Sequence, residues 1–551
     1  MKSVQRIAIL ILVVALAGLT LPSPAAIVNA QVSSSTTVYL PAISSQHSEA
    51  HSPFSIQIAG LSQITNDAAF ANLTSKEAEI TRENLIAELD AAFPSMLAAF
   101  EESGAGYARV YIDWKSIETT RGVYNWSFYD MRLPALHAAG LGLIATVTNA
   151  PDWAINPALD PCAAIITEPQ AYNQFLETMG NRFPFIDVWE ILNEPDAIPG
   201  YRCGDGVMNY AYAGAQYASL LQGAYTTIKA LNPTAKVILG GMAYDHFVDE
   251  DTAENRFYRY FLDDVINAGA APYMDGVNFH YFKNYAAGWE GWTNGNGSPT
   301  CEGIINVDEG GDTFYHPWGF DITAKASHVS ERLRVCHNVS KPLWLTEIGA
   351  NGIGPNNSFY HYTQTPTEPF PHLYGATLED QARYVFTIHA RGFATGAENI
   401  TWYAMKTIPD LTPIDFQGLL YDARDGSALD NSPKPAFAAY KTMTRELGSY
   451  RFDKWVAFDP ATRPAAEAYQ FQHLAGSAGG KPKLVAWSNS GSSVPLSLAN
   501  SEIRVVSRPD NGIFQPQFTV SDGGFGDADG VANGTIQFEL QAEPVIIELV
   551  R

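Results

Sequence analysis

From residue 54 to about 448, short apolar runs alternate with longer amphipathic stretches. The runs are Ser55–Ala59, Ala108–Ile112, Leu143–Thr148, Ile186–Leu192, Lys236–Gly240, Gly276–Phe282, Pro342–Ile348 and Ile400–Met405. They are rich in Val, Ile, Tyr and Trp and mostly apolar throughout, which predicts parallel strands covered on both faces. Helical patterns lie between them at Arg82–Glu102, Phe128–Ala139, Pro169–Arg182, Tyr210–Leu231 and Leu378–Ala390, and a last one, Lys434–Leu447, follows the final run. Gly140 and Asn232-Pro233 supply stop signals. Strands that alternate with helices predict an α/β fold, a (β/α)8 TIM barrel over residues 54–448, because right-handed crossovers curl a parallel sheet shut. An open doubly wound sheet is the alternative. The long insertion from Lys283 to Phe320 and the short first strand are the least regular parts of the pattern.

After Gly448 the texture changes. Ala468–Gln472, Lys483–Trp487, Ile503–Ser507, Thr535–Leu540 and Pro544–Val550 alternate with period two, separated by turn residues. This predicts an antiparallel β-sandwich over residues 449–551. At the other end, Lys2 and Arg6 precede an apolar run, Ile7 to Leu21, and small residues at Val28-Asn29-Ala30 offer a cleavage site. Residues 1–30 therefore read as a signal peptide, with an uncleaved anchor as the alternative, and the protein is expected to be secreted. Residues 31–53 are a Ser/Thr-rich leader with too few apolar positions to build a core.

Of 551 residues, 34 are basic and 58 acidic, a net charge of −24. Such a surface repels phosphate backbones, so nucleic acid is excluded as a partner. The chain has 4 cysteines, Cys162, Cys203, Cys301 and Cys336, and their spacing matches no zinc pattern. In an exported protein they are expected to form two disulfides. The preferred pairing is Cys162 with Cys203, on loops that the barrel sets side by side, and Cys301 with Cys336 by elimination.

Active-site groups of such a barrel lie at the C-terminal ends of its strands. The fourth strand delivers Asn193-Glu194-Pro195 and the seventh delivers Glu347-Ile348-Gly349, so two glutamates face each other across one mouth. That arrangement suits glycoside hydrolysis by double displacement. One carboxylic acid protonates the leaving oxygen while the other, ionised, attacks the anomeric carbon. Asn193 carries an amide suited to a sugar hydroxyl, and Pro195 fixes the chain as it leaves the strand. Arg109, on the second strand, is placed to keep Glu347 ionised or to pair with Glu190, and both are open.

Trp189-Glu-Ile-Leu-Asn-Glu-Pro and Leu345-Thr-Glu-Ile-Gly resemble the acid/base and nucleophile signatures of glycoside hydrolase clan A. The stretch from about 105 to 405 looks closest to families 39 and 5. The resemblance implies a retaining mechanism without metal or cofactor, Glu194 as acid/base and Glu347 as nucleophile. It also implies Asn193 at the sugar 2-hydroxyl, Arg109 near the nucleophile and Trp402 as the floor of the sugar pocket. Two positions depart from the pattern. His280-Tyr281-Phe282 stands where these families often carry His-x-Tyr, so Phe282 replaces a tyrosine that bonds the nucleophile. Either Tyr281 serves after a local bulge or the nucleophile lacks that partner. Thr148-Asn149 stands where family 5 commonly has a histidine.

Sugars present flat apolar faces, which makes Trp153, Trp289, Trp292, Trp318 and Tyr201 candidates for stacking, with loop anchoring as the alternative. Trp126, Trp189 and Trp344 read as structural. Asp152, Asp196 and Asp245 follow strand ends, either as loop caps or against substrate, and His246, His316 and His389 have no metal-like spacing. The expected partner is an oligo- or polysaccharide. A transglycosylase using the same residues and a non-catalytic carbohydrate binder are the competing functions. The C-terminal sandwich either binds polysaccharide through Tyr469, Phe471 and Trp487 or braces the barrel.

Overall fold

The computed structural model describes residues 51–58, 75–155, 165–196, 214–243, 258, 260–282, 293–294, 300–301, 318–319, 321–350, 352, 377–406, 417–421, 431–457, 464–508 and 516–550. Residues 1–50 lie outside the described residues, and the described residues belong to one compact unit. The expected signal peptide and leader, Cys162, Cys203, Tyr201, Asp245, His246, Trp289, Trp292 and His316 also lie outside the described residues. Cys301 and Cys336 are joined as a disulfide, with Cα atoms 4.6 Å apart. Of Trp318 only the strand Trp318–Gly319 is described, paired antiparallel with Thr293–Asn294.

Eight parallel strands alternate with helices in chain order. They are β1 Phe54–Gln57, α1 Ser75–Ser103, β2 Tyr107–Asp113, α2 Ser127–Ala138, β3 Gly142–Thr148, α3 Pro169–Arg182, β4 Val188–Ile191, α4 Gly214–Leu231, β5 Lys236–Leu239, α5 Phe261–Asn267, β6 Val277–Phe282, α6 Ile322–Glu331, β7 Leu343–Gly349, α7 Leu378–Ala394, β8 Ala397–Trp402 and α8 Pro435–Leu447. The sheet runs β5-β4-β3-β2-β1-β8-β7-β6, and parallel bridges from Ile238 to Gly276 and from Met242 to Phe279 close it between β5 and β6. The architecture is a TIM barrel. Two helices, α5 and α6, were absent from the sequence pattern. The first is only two turns long, and nearly all of the second is buried, so neither shows a polar stripe. The final strand begins three residues before the expected run.

Alternation along the strands sorts the side chains into an outer shell and an interior. Outward residues such as Ile56, Val110, Trp189, Phe279, Leu345 and Ile400 meet the helices in one continuous apolar core. Inward, Tyr107, Ile144, Val188, Ile238 and Trp344 plug the bottom of the barrel. Above that plug the interior becomes polar, with Gln57, Arg109, Thr146, Glu190, Asn278 and Thr346 all buried.

On β7 the alternation breaks. Asn278 and His280 on β6 pair with Trp344 and Glu347, and Ile400 and Trp402 on β8 pair with Leu345 and Ile348. In both ladders β7 spends three residues where its neighbour spends two. This bulge lets two successive residues, Thr346 and Glu347, both point inward.

The C-terminal strands are β9 Tyr450–Ala457, β10 Ala466–His473, β11 Lys483–Ser488, β12 Val494–Leu498, β13 Glu502–Ser507, β14 Gln517–Ser521, β15 Ile536–Leu540 and β16 Val545–Leu549. Six form the antiparallel sheet β9-β10-β11-β16-β13-β14, and β12 and β15 form a second layer. Ala468, Leu484, Ala486, Val505 and Ile547 face that layer, whereas Tyr469, Phe471, Val485, Trp487, Val506 and Ile546 join the barrel core. Arg391 of α7 reaches across to Glu467 with two bonds of 2.9 and 2.8 Å, and its third nitrogen bonds Asp321 at 2.6 Å. The sandwich thus braces the barrel. Tyr469, Phe471 and Trp487 are 1%, 1% and 3% exposed and form no sugar platform.

Candidate active site

The polar middle layer is built around one fully buried cation. Arg109 on β2 bonds Glu190 through Nε at 2.7 Å and Nη2 at 3.0 Å, and its Nη1 bonds both Gln57 and Glu347 at 2.5 Å. Its Nη2 also bonds the Asn193 carbonyl oxygen at 2.9 Å, which fixes the orientation of that amide. Arg109 therefore pairs with Glu190 and Glu347 at once. Burial alone would favour a neutral guanidine, but the Glu190 and Glu347 charges outweigh it and hold the cation firmly. Burial likewise opposes ionisation of Glu190, yet Arg109 keeps its carboxyl below the usual range.

Glu347 lies above that cation, its side chain 6% exposed, while Glu194 opposite is 27% exposed. One oxygen of each carboxylate and one ring nitrogen of His280 lie within 4.8 Å of one another. Among the described residues these three groups lie close enough together to hold a metal ion, and Arg109 stands beside them, 2.5 Å from Glu347. The backbone at Glu194 is strained. Leu192 and Glu194 have φ of 65° and 47°, and the Glu194 N–H bonds the Gly241 carbonyl at 3.1 Å. Left-handed conformations at non-glycine residues cluster where a side chain must be aimed.

Tyr111, two residues beyond Arg109 on the same face of β2, donates its hydroxyl to Glu347 Oε1. Burial and the neighbouring Glu347 charge raise its pKa well above that of an ordinary tyrosine, so it stays a donor. This corrects both expectations for the missing tyrosine. Tyr281 points outward into the apolar shell with Val277 and Phe279, the bulge falls on β7 rather than β6, and the hydroxyl on Glu347 comes from β2. The spacing Arg109-x-Tyr111 carried that signal, since period two puts both on the interior face. Replacing Tyr111 with Phe removes a bond to a charged group, worth about 1.5–3 kcal/mol. We expect kcat/KM to fall by roughly 10- to 100-fold with the fold unchanged, read from steady-state kinetics beside a thermal melt.

The expectation for Trp402 changes, and several open roles are filled. Trp402 faces outward, fully buried between β8 and α7, with Nε1 on the Gln417 carbonyl at 2.9 Å and its ring 6.4 Å from Tyr384 and His389. It cannot floor a sugar pocket. The half-buried Tyr403 next to it carries the aromatic ring at the mouth, 5.9 Å from Phe282. Trp153 bonds the Glu118 carbonyl at 2.9 Å and is flanked by Arg121 and Trp114, which anchors its loop. Asn149 binds Asp113 at 2.7 Å and ties the loops after β2 and β3 together. Asp152 pairs with Lys115, Asp196 caps the Ala243 N–H, and buried His389 has its pKa pushed down to about 4.

His280 reaches the site from β6. Its Nδ1 is 3.1 Å from Glu194 and 3.5 Å from Glu347, and its Nε2 is 3.2 Å from Thr346. Burial alone would favour the neutral ring, but the charges of Glu347 and Glu194 raise its pKa above the ordinary value. Its ring packs against Gly241, where a Cβ would come within 2.0 Å of Nε2, so only glycine fits there.

No protein-family model matches the sequence, and no curated protein aligns with it. Solved structures do resemble it. A family 39 glycoside hydrolase from the gut symbiont Bacteroides cellulosilyticus is 18% identical, with a TM-score of 0.54 over 90% of this chain and 81% of that one. A GH30 endoxylanase from Clostridium papyrosolvens is 13% identical, with a TM-score of 0.50 over 83% of this chain and 92% of that one. The chain thus has the fold of these glycoside hydrolases, a family 39 enzyme among them as the strand-end motifs led one to expect.

Proposed function

We propose that the protein is a retaining glycoside hydrolase acting on β-linked oligo- or polysaccharides, with Glu194 as general acid/base and Glu347 as nucleophile. The observation that carries this reading is the pair of glutamates, one just after β4 and one on β7, with oxygens within 4.8 Å. Retaining enzymes hold their carboxyl groups about 5–5.5 Å apart, whereas inversion needs roughly 6.5–9.5 Å to admit a water. Environment assigns the roles. Glu347 Oε1 is pinned by Arg109 and Tyr111, so the attacking oxygen is Oε2, on the side of Glu194 and His280. Glu194 is the more exposed carboxyl and can reach a leaving group.

The chemistry then runs in two steps. Oε2 attacks the anomeric carbon while Glu194 protonates the departing oxygen, giving a glycosyl ester on Glu347. Glu194 next removes a proton from water, which attacks the same carbon and releases the sugar with its configuration retained. Asn193, its carbonyl held by Arg109, supports the reading as the donor to the sugar 2-hydroxyl. An acceptor sugar in place of water would give transglycosylation, and product analysis with added acceptors separates the two outcomes.

Glu194→Ala tests the assignment. We expect it to lose activity on substrates with poor leaving groups, to spare aryl β-glycosides with good ones, and to yield the β-glycosyl azide when azide is added. An α-azide product would overturn the retaining mechanism, and uniform loss across leaving groups would remove Glu194 from the acid's role.

A further inference from the structure

The hydrogen bonds behind His280 leave little freedom in where its protons sit. The Thr346 N–H donates to Asn278 Oδ1 at 3.1 Å, so the Asn278 amide nitrogen faces Glu190 at 3.0 Å and Thr346 Oγ1 at 2.8 Å. The Thr346 hydroxyl has one proton. It lies 2.9 Å from Glu190 Oε1, and an ionised carboxylate only accepts, so the proton points there. Thr346 Oγ1 can then only accept from His280, and Nε2 must carry a hydrogen. The other ring nitrogen, Nδ1, faces Glu194 Oε1 at 3.1 Å and Glu347 Oε2 at 3.5 Å. Two bare acceptors would repel across the Nδ1–Glu194 contact, so one proton must lie between them, on the ring or on the carboxyl.

We propose that His280 is a positioning residue that holds the catalytic proton, a single dissociable proton shared between its Nδ1 and Glu194 and kept on that side of the ring by the Thr346–Asn278–Glu190 chain. The proposal rests on the glycosidase reading for its purpose, while its proton count stands on the hydrogen bonds alone. When Glu194 protonates the glycosidic oxygen, its O–H bond breaks and the ring is left neutral, with Nδ1 as an acceptor. When Glu194 later takes a proton from the attacking water, the shared proton is restored. Among the described residues the charged groups facing the ring are these. Glu194 and Glu190 come from β4 and its end, Glu347 from β7 and Arg109 from β2, while Lys325 of α6 donates to the His280 carbonyl at 2.7 Å. The three carboxylates favour the protonated ring and Arg109 opposes it.

The test combines nitrogen NMR of the full chain, labelled with 15N-histidine, and pH profiles of kcat/KM. In the unaltered protein the Nε2 of His280 should stay protonated across the range, while Nδ1 titrates along the basic limb of the profile. In Glu194→Gln the Nδ1 titration should move to lower pH, because the anion that shares the proton is gone. In His280→Gln the basic limb should move to lower pH, since one of two proton holders is lost. Its rate loss should be at least about tenfold greater for poor leaving groups than for activated ones. A bare Nε2, an unmoved basic limb, or equal losses with both substrate types would overturn the proposal. Should His280→Gln fail to fold, the NMR of the other two proteins decides. Should the chain cleave no glycoside, the NMR still decides the proton count, so a failed activity and a failed proton assignment are told apart.

Discussion

Glu347→Gln is expected to lose turnover on every glycoside, by on the order of 10⁴-fold or more, because in the proposed mechanism Glu347 forms the covalent intermediate. The substitution changes the charge and little else. A glutamine carbonyl can still accept from Arg109 and Tyr111, and the side chain stays buried on the β7 bulge. The fold should survive, with a melting temperature equal to or above that of the parent, since an active site that holds charges close together stores strain. Kinetics with the most activated aryl glycoside, beside calorimetry, checks both parts. Retained turnover with such a substrate would remove Glu347 from the nucleophile's role. A protein that no longer folds would instead mean that the Arg109–Glu347 pair holds the barrel interior together.

Arg109→Met is expected to be the most destabilising single change in the barrel interior. The guanidinium is fully buried, and it is bonded at once to Glu190, Glu347, Gln57 and Asn193. Removing one partner of a buried ion pair leaves the other charge uncompensated, at a cost of about 3–5 kcal/mol. Here two carboxylates are left. We expect denaturant unfolding to show that loss at neutral pH and activity to vanish with it. The pH dependence should change in a defined direction. Glu190 is held below the usual carboxylate range, so its contribution is present above the unfolded pKa and fades as the pH falls toward the folded one. In the variant that fall should disappear or reverse, because acid now neutralises a charge that has no partner. An acid limb of stability identical in both proteins would show that Arg109 does not hold Glu190 ionised.

Much of this was legible from side-chain periodicity. Seven of the eight barrel strands begin within two residues of an apolar run, because strands covered on both faces must be apolar nearly throughout. Glu194 and Glu347 were placed from chain order alone, since a barrel puts the ends of strands four and seven on one mouth. The docked face of the sandwich was harder to read. Tyr469, Phe471 and Trp487 alternate just as a sugar platform would, and whether such a face meets water or a helix is not a local property.

Local pattern therefore determined the barrel, the sandwich and the two carboxylates, because periodicity and strand order are written residue by residue. Only the tertiary structure decided how those carboxylates are held. The extra residue in β7 turns Glu347 inward beside Thr346, and Tyr111 supplies from β2 the hydroxyl that Phe282 lacks on β6. Trp402 is carried to the outer shell, and Tyr403 lines the mouth in its place. These outcomes depend on register between strands far apart in the chain. A one-residue shift in register exchanges the inside and outside of everything beyond it.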